Sequence, residues 1–97
     1  MLKEKEKRNN IIVRVFGSNV CMKCNFFLNE LDMVGIKYVY VDALHQNNQL
    51  LCDRYNIDEL PHTQVLDDDY NIIKEYIGDI SISTLYNEIE RLTYDAI

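Results

Sequence analysis

The sequence predicts an α/β fold: a minimal βαβ–ββα arrangement, with a four-stranded mixed sheet flanked by helices. Three observations carry the prediction. A β-branched run is followed by a segment with helical periodicity and then by a second β-branched run. Two further apolar runs are separated by a short polar turn, and an amphipathic segment follows a serine near the end of the chain. Elements in this order bury all their apolar stripes at once when helices cover both faces of one sheet.

Residues 1–10 read as a charged, solvated leader, and residues 11–97 as one domain. Ile11-Ile12-Val13-Arg14-Val15-Phe16 is nearly continuous in apolar character, as expected of a strand buried on both faces. Gly17-Ser18-Asn19 breaks it. Cys24, Phe27, Leu28, Leu31 and Val34 then fall on one helical face, and Gly35 is suited to end that helix in the left-handed conformation. Lys37-Tyr38-Val39-Tyr40-Val41 is the second strand, parallel to the first because a crossover helix joins them. Leu50, Leu51, Tyr55 and Ile57 mark a short helix and its exit. Pro61 precedes a strand through Gln64-Val65-Leu66. The turn Asp67-Asp68-Asp69-Tyr70-Asn71 leads into a strand from Ile72 to Ile77, making an antiparallel hairpin. Ser81 can cap a last helix whose face is Ile82, Leu85, Tyr86, Ile89 and Leu92.

Composition narrows the function. A net charge of −6 argues against nucleic acid, which needs a cationic surface, and against an anionic membrane. No stretch approaches the roughly 20 apolar residues of a membrane span, and no secretory signal is expected. The expected compartment is the reducing cytoplasm, where a close cysteine pair means redox catalysis or metal binding.

Cys21-Met22-Lys23-Cys24 sits where the first strand hands over to the first helix. Unpaired backbone N–H groups and the helix dipole stabilise negative charge there, so Cys21 ionises more readily than an ordinary thiol. Cys24 lies one turn in, on the apolar face. The positions assign Cys21 as the attacking thiol and Cys24 as the resolving one. Half of a zinc site is the alternative, but the remaining candidates, Cys52, His45 and His62, have no paired ligand spacing. Cys52 reads as a small buried hydrophobe. Lys23 is either a solvated lysine or a stabiliser of the thiolate. His62, directly after Pro61, is ordinarily exposed at a strand start, with a tuning role at the site rim as the alternative.

Tyr55, Ile57 and Pro61, with Gly78-Asp79-Ile80-Ser81 leading into Leu85 and Ile89, complete a pattern that resembles the thioredoxin superfamily over about Ile11 to Leu92. The resemblance implies a thioredoxin-like fold with a cis Leu60–Pro61 bond facing the Cys21 sulfur. Leu60, Pro61 and Gly78 would then contact an extended substrate. It further implies a monomeric dithiol reductase of protein disulfides, with no cofactor beyond the Cys21–Cys24 disulfide. Electrons would come from a thioredoxin-reductase-type donor or from glutathione.

The pattern departs from both main branches. The aspartate that thioredoxins place six residues before the first cysteine is Val15 here. The lysine and second glycine of the glutaredoxin glutathione site are Ser18 and Asp79. Cys-Met-Lys-Cys is similar to the pairs of small redoxins that reduce ribonucleotide reductase. A glutathione-dependent glutaredoxin is the alternative reading, and a redox-inactive binding adaptor a second one.

Overall fold

In the computed structural model, which describes residues 10–93, the chain runs β1 (Ile12–Gly17), α1 (Met22–Val34), β2 (Val39–Asp42), a 3-10 turn (Gln46–Asn48), α2 (Gln49–Arg54), β3 (His62–Leu66), β4 (Ile72–Ile77) and α3 (Ile82–Thr93). Apart from Asn10, the expected charged leader lies outside the described residues, as do positions 94–97. The strands order as β2-β1-β3-β4, with β1 parallel to β2 and antiparallel to β3, and β3 antiparallel to β4. The βαβ–ββα order is the one the periodicities predict.

Alternation along β1 divides the interior into two layers. Val13 and Val15 point toward α1 and α3, where they pack with Phe27, Leu31, Val65 and Leu85. Leu31 and Leu85 keep no exposed surface, and burying each contributes roughly 1.5–3 kcal/mol. Phe16 points the other way and packs with Val41 and Cys52, under Leu51, Tyr55, Ile57 and Leu60. Cys52 is the buried small hydrophobe expected of it.

The helix ends follow local chemistry. Gly35 ends α1 at φ 78°, with its N–H donating to the carbonyls of Leu31 and Asp32. Ser81 Oγ accepts from the Thr84 N–H at 3.1 Å ahead of α3. In the β3–β4 turn, Asp67 Oδ1 accepts from the N–H groups of Asp69 and Asn71, each at 2.9 Å. These bonds, that from Asn71 first, hold the Asp67 carboxyl below its ordinary value.

Several expectations are corrected. The first strand extends through Gly17 instead of breaking there, and the second pairs only from Val39. Val34, Leu50 and Tyr86 belong to the predicted apolar faces, yet all are exposed. Val34 ends α1 just ahead of its cap, and Leu50 lies in the first turn of a six-residue helix that turns Cys52 inward.

Candidate functional site

The turn from β1 to α1 is held by its own backbone. The Cys21 N–H donates to the Ser18 carbonyl at 3.2 Å, and the buried Ser18 Oγ accepts from the Val20 N–H at 3.1 Å. These bonds deliver Cys21 to the N-cap of α1, with extended backbone at φ −93° and ψ 108°. Its Sγ accepts from the Cys24 N–H at 3.2 Å, so the sulfur takes up one of the N–H groups left unpaired at a helix start. A disulfide joins Cys21 and Cys24, whose Cα atoms are 5.3 Å apart. Cys21 is partly exposed, whereas Cys24 has no exposed surface.

The sheet brings the other predicted residues to this end. A β-carbon on Gly17 would lie 3.3 Å from Cys24 Sγ and 3.2 Å from Tyr40 Cε1, so the inner sulfur rests against the β1 backbone. Phe16 pairs with His62 and His62 with Ile77, which sets Gly17, Pro61 and Gly78 side by side at one edge of three adjacent strands. The Leu60–Pro61 bond is cis, as the resemblance implies. The Gly78 N–H donates to the Pro61 carbonyl at 2.8 Å, and Gly78 takes φ 83°, in the left-handed region. Pro61 is buried and Leu60 partly so. Lys23, in the first turn of α1, lies in the exposed wall of a groove of about 250 Å³, completed by Phe26, Phe27, Glu30, Asp79 and Ile80. Around it Val20, Met22 and Phe26 expose apolar side chains.

Two features escape the sequence reading. Glu59 lays its carboxylate over Gly78: Oε2 would be 2.7 Å from a β-carbon there, so glycine makes room for it. Asp79 and Glu30 make the groove acidic, and Glu59 adds a carboxylate against Gly78, the residue before Asp79. The second is a polar network on the α2 side of the sheet, buried at Arg14, Gln64 and His62 and reaching the exposed Glu75. Arg14 Nε and Nη2 donate to Gln64 Oε1 at 2.9 and 2.8 Å, and Gln64 Nε2 donates to Glu75 Oε2 at 3.1 Å. The guanidinium also lies 5.3–5.6 Å from the ring centres of Phe16, Tyr55 and Tyr70.

His62 belongs to this network, which corrects its expected exposure. It is 3% exposed, its Nε2 pairs with Glu75 Oε2 at 2.8 Å, and its ring meets Phe16 edge-on at 6.0 Å. Burial pushes the Glu75 carboxyl up, but the hydrogen bonds from Gln64 and His62 and the His62 charge outweigh it, leaving that carboxyl below its ordinary value. The zinc alternative gains no ligand. Among the described residues, no third histidine, cysteine or carboxylate joins the cysteine pair within 4.8 Å. His45 instead caps the 3-10 turn through Nδ1. Burial, then Asp53 and Asp42, push the Cys52 thiol up. No helix among the described residues is long and apolar enough to cross a membrane.

No protein-family model and no curated protein sequence matches the chain. Solved structures do. A mutant thioredoxin from Halobacterium salinarum superposes with a TM-score of 0.78 at 18% identity, covering 92% of this chain and 80% of that one. Thioredoxin-2 of the malaria parasite gives 0.74 at 19% identity, covering 94% and 99%. A thioredoxin-fold protein from Helicobacter pylori gives 0.75 at 18%, covering 91% and 71%. The agreement is in the path of the backbone.

Proposed function

We propose that this thioredoxin-fold chain is a dithiol reductase of protein disulfides. One observation carries the reading: two cysteines bridge the N-cap and first turn of α1, one partly exposed and one buried, beside Pro61 and Gly78. In the reduced protein, the Cys21 thiolate attacks one sulfur of a substrate disulfide. A mixed disulfide forms, and the other substrate sulfur leaves as a thiolate and takes up a proton. Cys24 then loses its proton and attacks Cys21 Sγ, which breaks the mixed disulfide and releases the second substrate thiol. The substrate gains two electrons and two protons; the protein returns to the Cys21–Cys24 disulfide and is reset by an external dithiol reductant.

The exposed apolar side chains of Val20, Met22 and Phe26 favour a protein over a small hydrophilic molecule as substrate. The carboxylates of Glu30 and Asp79 in the groove, with that of Glu59 against Gly78, disfavour an anionic tripeptide, so a thioredoxin-reductase-type donor in a reducing cytoplasm fits better than glutathione. Lys23 is proposed to favour the Cys21 thiolate, and the Leu60 and Pro61 backbone to align an extended substrate strand.

The test is reduction of insulin or a disulfide-linked peptide by the pre-reduced protein. Cys21→Ser is expected to abolish it, and Cys24→Ser to accumulate the mixed disulfide on Cys21, visible by mass spectrometry. Undiminished reduction by Cys21→Ser would refute the proposal.

A further inference from the structure

Resolution of the mixed disulfide makes a demand on the protein interior. Cys24 has no exposed surface, and its thiol must shed a proton before the sulfur can attack. A thiolate forming in a dry layer without a hydrogen-bond donor is costly. Val15, on the face of β1 that α1 covers, is fully buried and apolar and offers no donor.

The register of the sheet supplies another group. Val15 and Thr63 are opposite one another in the β1–β3 ladder, so their side chains share a face. Gly17 is two residues further along β1 on that same face, and it is the residue against which Cys24 Sγ rests. Thr63 is therefore the diagonal neighbour of the sulfur's seat, roughly 7–8 Å away between backbones. Rotation of the reduced sulfur or one bridging water closes the remaining gap.

Thr63 has no exposed surface, and its Oγ1 has no hydrogen-bond partner among the described residues. A buried, unpaired hydroxyl costs free energy and calls for an explanation. Valine, present at the facing position, would fill this place without that cost. The flanking titratable groups cannot serve as proton acceptors. Tyr40 on β2 pairs with Val15 and Tyr76 on β4 pairs with Thr63. Burial pushes both phenols up, with Asp42 adding to the effect at Tyr40 and Glu88 at Tyr76, so both stay neutral near pH 7.

We propose that Thr63 is a positioning residue for the resolving thiol: its hydroxyl donates a hydrogen bond to Cys24 Sγ as that sulfur becomes a thiolate, directly or across one water. The inference deepens the dithiol reading and rests on it. The Cys24 proton passes to solvent or to the thiolate already released from the substrate. The Cys24 electron pair forms the bond to Cys21, and the remaining substrate sulfur leaves with the pair from the broken bond. In the oxidised protein there is no thiolate to serve, and the hydroxyl stands idle.

The experiment mixes pre-reduced protein with a peptide disulfide, quenches with acid, and follows the mixed disulfide by mass. Thr63→Val should slow its collapse about tenfold near pH 7 and move the midpoint of its pH–rate profile up by about one unit, one pKa unit being a factor of ten. Thr63→Ser should restore both. Oxidised Thr63→Val should melt at or above the temperature of the unsubstituted protein, because an idle buried hydroxyl has gone. A role in packing alone predicts otherwise: Thr63→Val, which keeps the volume, collapses at the unsubstituted rate, while Thr63→Ser, which loses a methyl group, melts lower and collapses more slowly. An unchanged collapse rate in Thr63→Val, or slowing in Thr63→Ser as large as in Thr63→Val, overturns the assignment. If Cys21 forms no mixed disulfide at all, the dithiol reading fails and carries this inference with it.

Discussion

Replacing Gln64 by leucine tests whether Arg14 is held by the buried network described above. Gln64 has no exposed surface, and its Oε1 accepts both donors that Arg14 directs at it. Leucine removes that oxygen at nearly equal volume and leaves a buried guanidinium facing a methyl group. A hydrogen bond to a charged group is worth about 1.5–3 kcal/mol, and breaking a buried charged pair costs about 3–5 kcal/mol. The acceptor here is neutral, so the lower end applies: about 3 kcal/mol. For a chain of this size that is a fall of roughly 12–24 °C in melting temperature. The double variant Arg14→Met, Gln64→Leu removes the stranded cation as well and should recover about 2 kcal/mol of the loss. Urea denaturation of the oxidised protein, with unchanged slope, measures both variants against the unsubstituted protein. Tyr70, 49% exposed, is the outer ring against the guanidinium, and the reasoning fails if Arg14 swings out past it into water. A loss below about 1 kcal/mol for Gln64→Leu, or a double variant no more stable than the single, would show that.

Other expectations follow from the same contacts. Brief alkylation of the reduced protein near pH 7 should label Cys21 well before Cys52, whose thiol is buried and pushed up; peptide mapping after quenching decides it. Because Glu75 titrates below its ordinary 4.5 in the folded state, its ionisation stabilises the fold above that pH, and the contribution disappears as pH falls through the lower folded value. Acid titration of stability should therefore be shallower below pH 4.5 in Glu75→Gln, and equal slopes would contradict the pairing with Gln64 and His62. Gly78→Ala forces a side chain into the left-handed region against Glu59 and should cost about 1–2 kcal/mol in denaturant unfolding. Glu59→Gln with Asp79→Asn should raise the rate of reduction by glutathione relative to that by a thioredoxin reductase; an unchanged ratio would show that these carboxylates do not set the choice of donor.

The local signals in the sequence were reliable where one element decides its own shape. Ser81 and Gly35 cap helices, and the crossover helix makes β1 and β2 parallel, as periodicity and turn chemistry require. Cys21 and Cys24 also sit where the strand-to-helix handover puts them. What escaped depends on distant partners. Arg14 looks like an interruption in an apolar run until Gln64, fifty positions away, is found beside it. His62 reads as an exposed strand start because its cover is Phe16 on one side and its ion partner Glu75 lies on the next strand. Thr63 carries no motif; only the pairing with Val15 reveals what lies above it. Val34 and Leu50 fit apolar stripes, but the stripe does not say where the layer beneath it ends.

Gly17 sets the thickness of the molecule at the end that carries the Cys21–Cys24 disulfide. With no side chain between strand and helix, the Cys24 sulfur lies directly on the sheet, and the rim of Tyr40 closes over the same spot. A single methyl group there would act as a shim, lifting the start of α1 or pushing the tyrosine aside. Distant relatives that keep the contact should therefore keep a glycine four residues ahead of the first cysteine. Those that lose it should show a smaller residue where Tyr40 stands. Such a spaced pattern can be followed through sequences too divergent for their overall identity to reveal kinship.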